Sequence, residues 1–188
     1  MTPKPTALLS ACRAACGALL ALYLGAGAPA DTAGSLLDAL KAAPTEQQSA
    51  ALETKIVLIW RARVTPAVQL LLDHATDAME QQDRKTAMAD LDAALDLQPE
   101  QADLWRLHAE ARFANGDDAG ALADLAQALS REPRLFPALE DLSRFAESRN
   151  DYPRALEAWQ RFLDLDPKAA HGTARLEVLQ RKVAGQPL

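Results

Sequence analysis

Three segments of the chain run in phase: TAMADLDAALDLQPE from Thr86, GALADLAQALSREPR from Gly120, and RALEAWQRFLDLDPK from Arg154. Their starts lie 34 residues apart. Each has Ala in its second place, an apolar residue (Leu91, Leu125, Trp159) in its sixth, and Pro (Pro99, Pro133, Pro167) near its end. A period of that length is one helix–turn–helix unit. Such a unit cannot bury its apolar face alone and must stack on copies of itself. The spacing predicts a helical solenoid, a class of fold that binds partners more often than it catalyses.

Extending the phase outward places three helix pairs. The first unit has helix A over 66–81, opened by Thr65-Pro66 as N-cap and first helical residue, and helix B over 84–97. The second has helices over 102–114 and up to 130, around the turn Asn115-Gly116-Asp117. The third has helices over 137–148 and up to 165, around Asn150-Asp151-Tyr152-Pro153. Small residues recur where the two helices of a unit must cross closely (Ala75, Ala109, Ser143; Ala87, Ala121, Ala155), and Ala94, Ala128 and Phe162 precede the prolines. The prolines end helix B. Asp83, Asp117 and Asp151 recur before helix B, where an N-cap is needed.

Outside this array, residues 31–65 predict two helices. One is capped by Ser35 and ended by Pro44; the other is opened by the capping box Thr45-Glu46-Gln47-Gln48. The pair lacks the Ala and Pro markers and is expected to cap the stack ahead of the first unit. Residues 168–188 predict a C-terminal capping helix and tail, with Leu176, Leu179 and Val183 on one face.

Residues 1–30 carry Lys4 and Arg13 and no acidic residue. They are almost wholly apolar from Ala14 to Leu24 and end Ala28-Pro29-Ala30. A basic start, a short apolar run and an Ala-x-Ala site make an export signal cleaved after Ala30, which leads to a periplasmic location. The alternatives are an uncleaved anchor and a lipoprotein signal built on Leu9-Ser10-Ala11-Cys12. Both cysteines, Cys12 and Cys16, lie in this segment, so the mature chain has no disulfide and relies on its core. Removing Lys4 and Arg13 from the 20 basic residues leaves 18 against 26 acidic, a net charge of −8. An acidic chain without a basic stripe argues against nucleic acid and anionic lipid as partners.

The repeat markers resemble those of the tetratricopeptide repeat family. Trp105, the crossing residues Ala75, Ala109, Ala87, Ala121 and Ala155, and the three prolines match its pattern across 68–167. His74 and His108 depart from it where Leu is usual, and Phe162 stands where a small residue is usual. The resemblance implies an all-α, right-handed α-solenoid of antiparallel helix pairs: three units with N- and C-terminal capping helices, whose A helices line a concave groove. Groove positions would include Gln69, Leu72, Thr76, Met79, Asp103, Arg106, Glu110, Phe113, Glu140, Arg144 and Glu147, of which Met79, Arg106, Glu110, Phe113, Glu140 and Arg144 are the candidate partner-binding residues. Arg106 and Arg144 would grip a carboxylate or peptide carbonyls, with Phe113 and Met79 as an apolar pocket beside them. The competing reading pairs Arg106 with Glu110, and Arg144 with Glu140 or Glu147, as surface ion pairs.

The two-carboxylate clamp by which some family members hold chaperone C-termini is absent: Leu72, Asp73, Thr76 and Asp103 stand at its positions. His74 and His108 are read as packing histidines rather than metal ligands, and Trp60, Trp105 and Trp159 as core anchors. No nucleophile elbow, phosphate-binding loop or zinc pattern occurs, and no cofactor is implied. The expected function is a scaffold or adaptor binding a protein or peptide. A self-associating homo-oligomeric module is the alternative, and an enzyme comes last.

Overall fold

The computed structural model describes residues 31–186, and the export-signal and lipobox assignments lie outside them. The helices and contacts belong to the unit that begins at Thr32. The described residues form α-helices and no strand: α1 (Asp31–Lys41), α2 (Glu46–Arg61), α3 (Pro66–Glu80), α4 (Arg84–Leu97), α5 (Ala102–Ala114), α6 (Asp118–Arg131), α7 (Phe136–Ser148), α8 (Tyr152–Leu165) and α9 (Gly172–Val183). Helices α3 and α4, α5 and α6, and α7 and α8 pack as antiparallel pairs. Each pair then packs on the next through α4–α5, α6–α7 and α8–α9.

The boundaries have local causes. Thr65 accepts a hydrogen bond from the Val68 N–H at the start of α3, with Pro66 in the first turn. Asp83, Asp117 and Asp151 accept from the N–H of Thr86, Gly120 and Arg154, so the recurrent aspartates cap the B helices. The ends of the A helices repeat as strictly. The N–H groups of Asp83, Asp117 and Asp151 bond back to the carbonyls of Ala78, Arg112 and Ala146. The residue before each aspartate is left-handed: Gln82 (φ 62°), Gly116 (φ 80°) and Asn150 (φ 61°). This is one helix-ending geometry used three times, and only Gly116 adopts it without a side-chain penalty.

The crossing residues are buried as the spacing requires. Ala109, Ala121, Ala155, Ala94, Ala128 and Ser143 are all fully enclosed. Where His replaces the usual Leu, the helices are clasped by polar contacts instead. His74 Nδ1 lies 2.7 Å from Asp90, and His108 lies between Asp124 (2.7 Å) and Asp92 (3.0 Å). Phe162 is accommodated by stacking on Trp159 (4.6 Å between ring centres) and meeting Phe136 (6.4 Å). Trp60 lies 5.5 Å from Phe136 in turn.

That aromatic ledge explains the main departure from expectation. The pair α1–α2 does not pack helix-to-helix ahead of the first unit, and Leu70 on α3 is left 69% exposed. Leu37, Leu40, Ile56 and Trp60 instead join the core that holds Phe136, Leu139, Phe162 and Leu179 of the third unit and α9. Ser49 donates to the buried Asp166 at the end of α8, and Arg134 pairs with Asp38 at 3.2 Å. Helix α1 thus lies beside the third unit, and the chain passes along α2 to start the first. Burial of these four large side chains, none more than 5% exposed, supplies the apolar driving force for that placement. Two ends also shift. Helix α1 starts at Asp31, with Ser35 inside it rather than capping it. Helix α9 starts at Gly172 after a left-handed His171, and Gly172 packs so closely that a Cβ there would meet Leu163 at 2.7 Å.

Replacing Gln82 by Gly should therefore stabilise the protein by about 0.5–1 kcal/mol, because the left-handed penalty exceeds the chain-entropy cost of glycine. Asn150→Gly should gain less, since Asn tolerates this conformation. Chemical denaturation of the two variants measures both.

Candidate functional site

The A helices present three kinds of surface. At the centre, Arg106 on α5 donates to Asp103 (2.6 Å) and pairs with Asp141 of α7 (3.2 Å) and Glu110 (3.5 Å). Its side chain is only 12% exposed. Burial disfavours its charge, but the carboxylates of Asp103, Asp141 and Glu110 more than offset this and hold the guanidinium above its ordinary range. Arg144 pairs with Asp141 (2.7 Å) and Glu110 (3.5 Å), with its guanidinium 4.8 Å from the centre of the Phe145 ring. Arg106 is thus engaged as a strut between α5 and α7, and its contact with Glu110 is the ion pair that the competing sequence reading expected. Arg144 is bound into the same network. Glu140 and Glu147 are not its partners: Glu147 is taken by Arg175 (3.0 Å) and Lys182 (2.7 Å) of α9.

Phe113 stacks face to face on Phe145 at 3.9 Å, joining α5 to α7. It does not share a pocket with Met79. The apolar pair expected from the sequence is therefore split, and only Met79 faces an open cavity. Asp141, which holds both arginines, went unrecognised in the sequence. Its only local signal is the i,i+3 spacing to Arg144.

The second surface is where α2 crosses the third unit. Glu53 on α2 is half-buried beside Asp166 and Glu140. Burial, a hydrogen bond with Asp166, and the charges of Asp166 and Glu140 raise its carboxyl to about 7. Glu140 is itself raised by desolvation and by Asp141, against the opposing pull of Arg175, Arg144 and Arg106. Glu140 is thus a neighbour of the chain's own helix, not a free groove residue.

The third surface is a cavity of about 460 Å³ between α3, α5 and the end of α2. Leu72, Ala75, Leu91, Leu104 and Leu107 form its apolar floor, with Met79 at the side and Trp60, Arg61 and Val64 closing the α2 end. Gln69, Asp73, Thr76, Asp77, Gln101, Asp103 and Glu110 provide the polar rim. Of the six candidate partner-binding residues expected from the sequence, the structure brings Met79 and Glu110 to this cavity, together with the expected groove positions Gln69, Leu72, Thr76 and Asp103. Among the described residues, no three His, Cys, Asp or Glu side chains converge as a metal site requires. No helix among them is long and apolar enough to cross a membrane.

Because the Glu53 carboxyl is raised in the folded state, its proton is held more tightly there than in the unfolded chain. Its contribution to stability is complete below pH 4.5 and is lost as pH rises towards about 7. Glu53→Gln, which keeps a donor towards Asp166, should remove that decline. Relative to wild type it should raise Tm at pH 8 and leave it nearly unchanged at pH 4.5, as thermal melts across that range will show.

No family model matches the chain. A TPR repeat-containing protein of Rhizobium etli is 27% identical over 157 residues, covering 84% of this chain and 77% of the relative. Among solved structures, the first TPR of Spaghetti (RPAP3) bound to the HSP90 peptide SRMEEVD has a TM-score of 0.58 at 19% identity, covering 64% of this chain and 97% of that one. The Sgt2 TPR domain of Aspergillus fumigatus has a TM-score of 0.59 at 23% identity, covering 66% and 87%. The TPR2B domain of yeast Sti1 in complex with pHsp70 has 0.56 at 18%, covering 65% and 100%. The in-register helix pairs, the buried small residues at their crossings and these similarities agree: the chain has the fold of a tetratricopeptide-repeat solenoid.

Proposed function

We propose that the protein is an exported interaction scaffold that binds a peptide or protein segment in the cavity between α3, α5 and the end of α2. The observation that carries this reading is the cavity itself. Its volume lies within the roughly 300–1,000 Å³ of sites that enclose a ligand, and an apolar floor meets polar side chains at its rim. At the third unit, α2 already lies beside the A helix, so the first two units offer the open stretch. The structural neighbours with bound chaperone peptides support a peptide as the class of ligand. They do not support the same peptide. Leu72, Asp73, Thr76 and Asp103 stand at the positions of the carboxylate clamp with no cation among them, and all four line the cavity.

Location rests on the composition of residues 1–30, a basic start followed by an apolar run and an Ala-x-Ala site. The mature chain would begin at Asp31 and act in the periplasm.

A peptide-display selection on the full chain tests the binding reading. Enriched sequences should lose at least about tenfold in affinity to Leu72→Glu, which places a charge on the cavity floor. Enrichment that ignores Leu72→Glu would move the site elsewhere. For export, mass analysis of the chain recovered from the envelope should give an N-terminus at Asp31; an intact Met1 in the cytoplasmic fraction would contradict it.

A further inference from the structure

The cavity has a charge pattern that selects its occupant. Four carboxylates line it, Asp73 and Asp77 from α3 and Asp103 and Glu110 from α5, against the single cation Arg61 at the α2 end. Asp103 and Glu110 are already shared with Arg106, and Glu110 also with Arg144. Asp73 and Asp77 are not so neutralised. Asp73 accepts only from the neutral Gln69 amide (2.7 Å), and neither makes an ion pair with a cation among the described residues. They stand four residues apart on one helix, a spacing at which like charges repel. A cation placed between them relieves that repulsion and gains attraction from both. Below the rim, Leu72, Leu104 and Leu107 offer contact to an apolar side chain. Trp60, also in the wall, has a buried indole N–H with no acceptor.

Resting on the binding role above, we propose that the occupant is a cationic segment of another protein: a lysine or arginine seated between α3 and α5 beside an apolar anchor on the leucine floor. Charge complementarity carries the assignment. An acidic tail would meet the unpaired carboxylates of Asp73 and Asp77. A wholly apolar helix would leave Asp73 and Asp77 facing it uncompensated, and partly desolvated.

The test uses the full chain and three synthetic decapeptides that share the same leucines, flanked by lysine, glutamate or serine. Binding is read by fluorescence anisotropy at two salt concentrations, with Asp73→Asn/Asp77→Asn as the cavity variant and Asp96→Asn/Asp164→Asn, exposed carboxylates outside the cavity, as its charge-matched control. The lysine peptide should bind tightest and weaken with salt. It should lose about tenfold in the cavity variant and little in the control. Equal or tighter binding of the glutamate or serine peptide, lost on Leu72→Glu, would overturn the cationic assignment while leaving the cavity as a peptide site. An equal loss in the control variant would reduce the effect to net charge and also overturn the assignment. Binding of none of the three would overturn both this assignment and the binding role on which it rests.

Discussion

The close crossing of the two helices in each unit is the contact on which the rest depends. Ala109 with Ala121, and Ser143 with Ala155, are enclosed because nothing larger fits where the helix axes approach. That approach sets the angle of each pair, and the repeated angle sets the stack. The stack then brings the A helices side by side, so that Leu72 and Met79 of α3 face Leu104 and Leu107 of α5 across one cavity. A larger side chain at the crossing would splay the pair and open the floor of the site before touching its rim.

Phe162 relaxes the small-residue rule at one position, and the packing around it changes accordingly. Its ring extends a ledge with Trp159 and Phe136, and α2 settles on that ledge through Trp60. The polar contacts beneath α2 are less settled. Asp166 is fully buried, accepts from Ser49 and the Lys168 N–H, and shares a proton-bearing contact with Glu53. The helix is held by apolar burial and by contacts that include the Glu53 carboxyl, whose protonation changes near neutrality. The same helix supplies Trp60 and Arg61 to the cavity, so its seating on the third unit and the geometry of the site are mechanically connected.

The helices of the three units were legible because their signals are local. The aspartate caps, the prolines and the alanine spacing each act within a few residues. The placement of α1 and α2 was not legible, because it rests on contacts such as Trp60–Phe136 and Ser49–Asp166 between residues far apart in sequence. The site was legible in part. The groove positions were named from the resemblance, and Met79 and Glu110 do line the cavity. The Arg106–Glu110 pair was legible from its spacing, but the tie from Arg106 to Asp141 was not, because Asp141 comes from the next unit, 35 residues away. The contribution of Trp60 and Arg61 arose from the unexpected course of α2. Helix-ending geometry was legible at Gly116 and compatible with Asn150, but hidden at Gln82, where the residue type does not announce a left-handed backbone.

The most direct test of the central claim, that a partner segment occupies the cavity between α3, α5 and the end of α2, is chemical-shift mapping of the labelled full chain with a selected peptide. The account predicts perturbations concentrated at Leu72, Thr76, Met79, Leu104, Leu107 and the Trp60 indole N–H. Perturbations confined to α6, α8 and α9, with these residues unmoved, would contradict it.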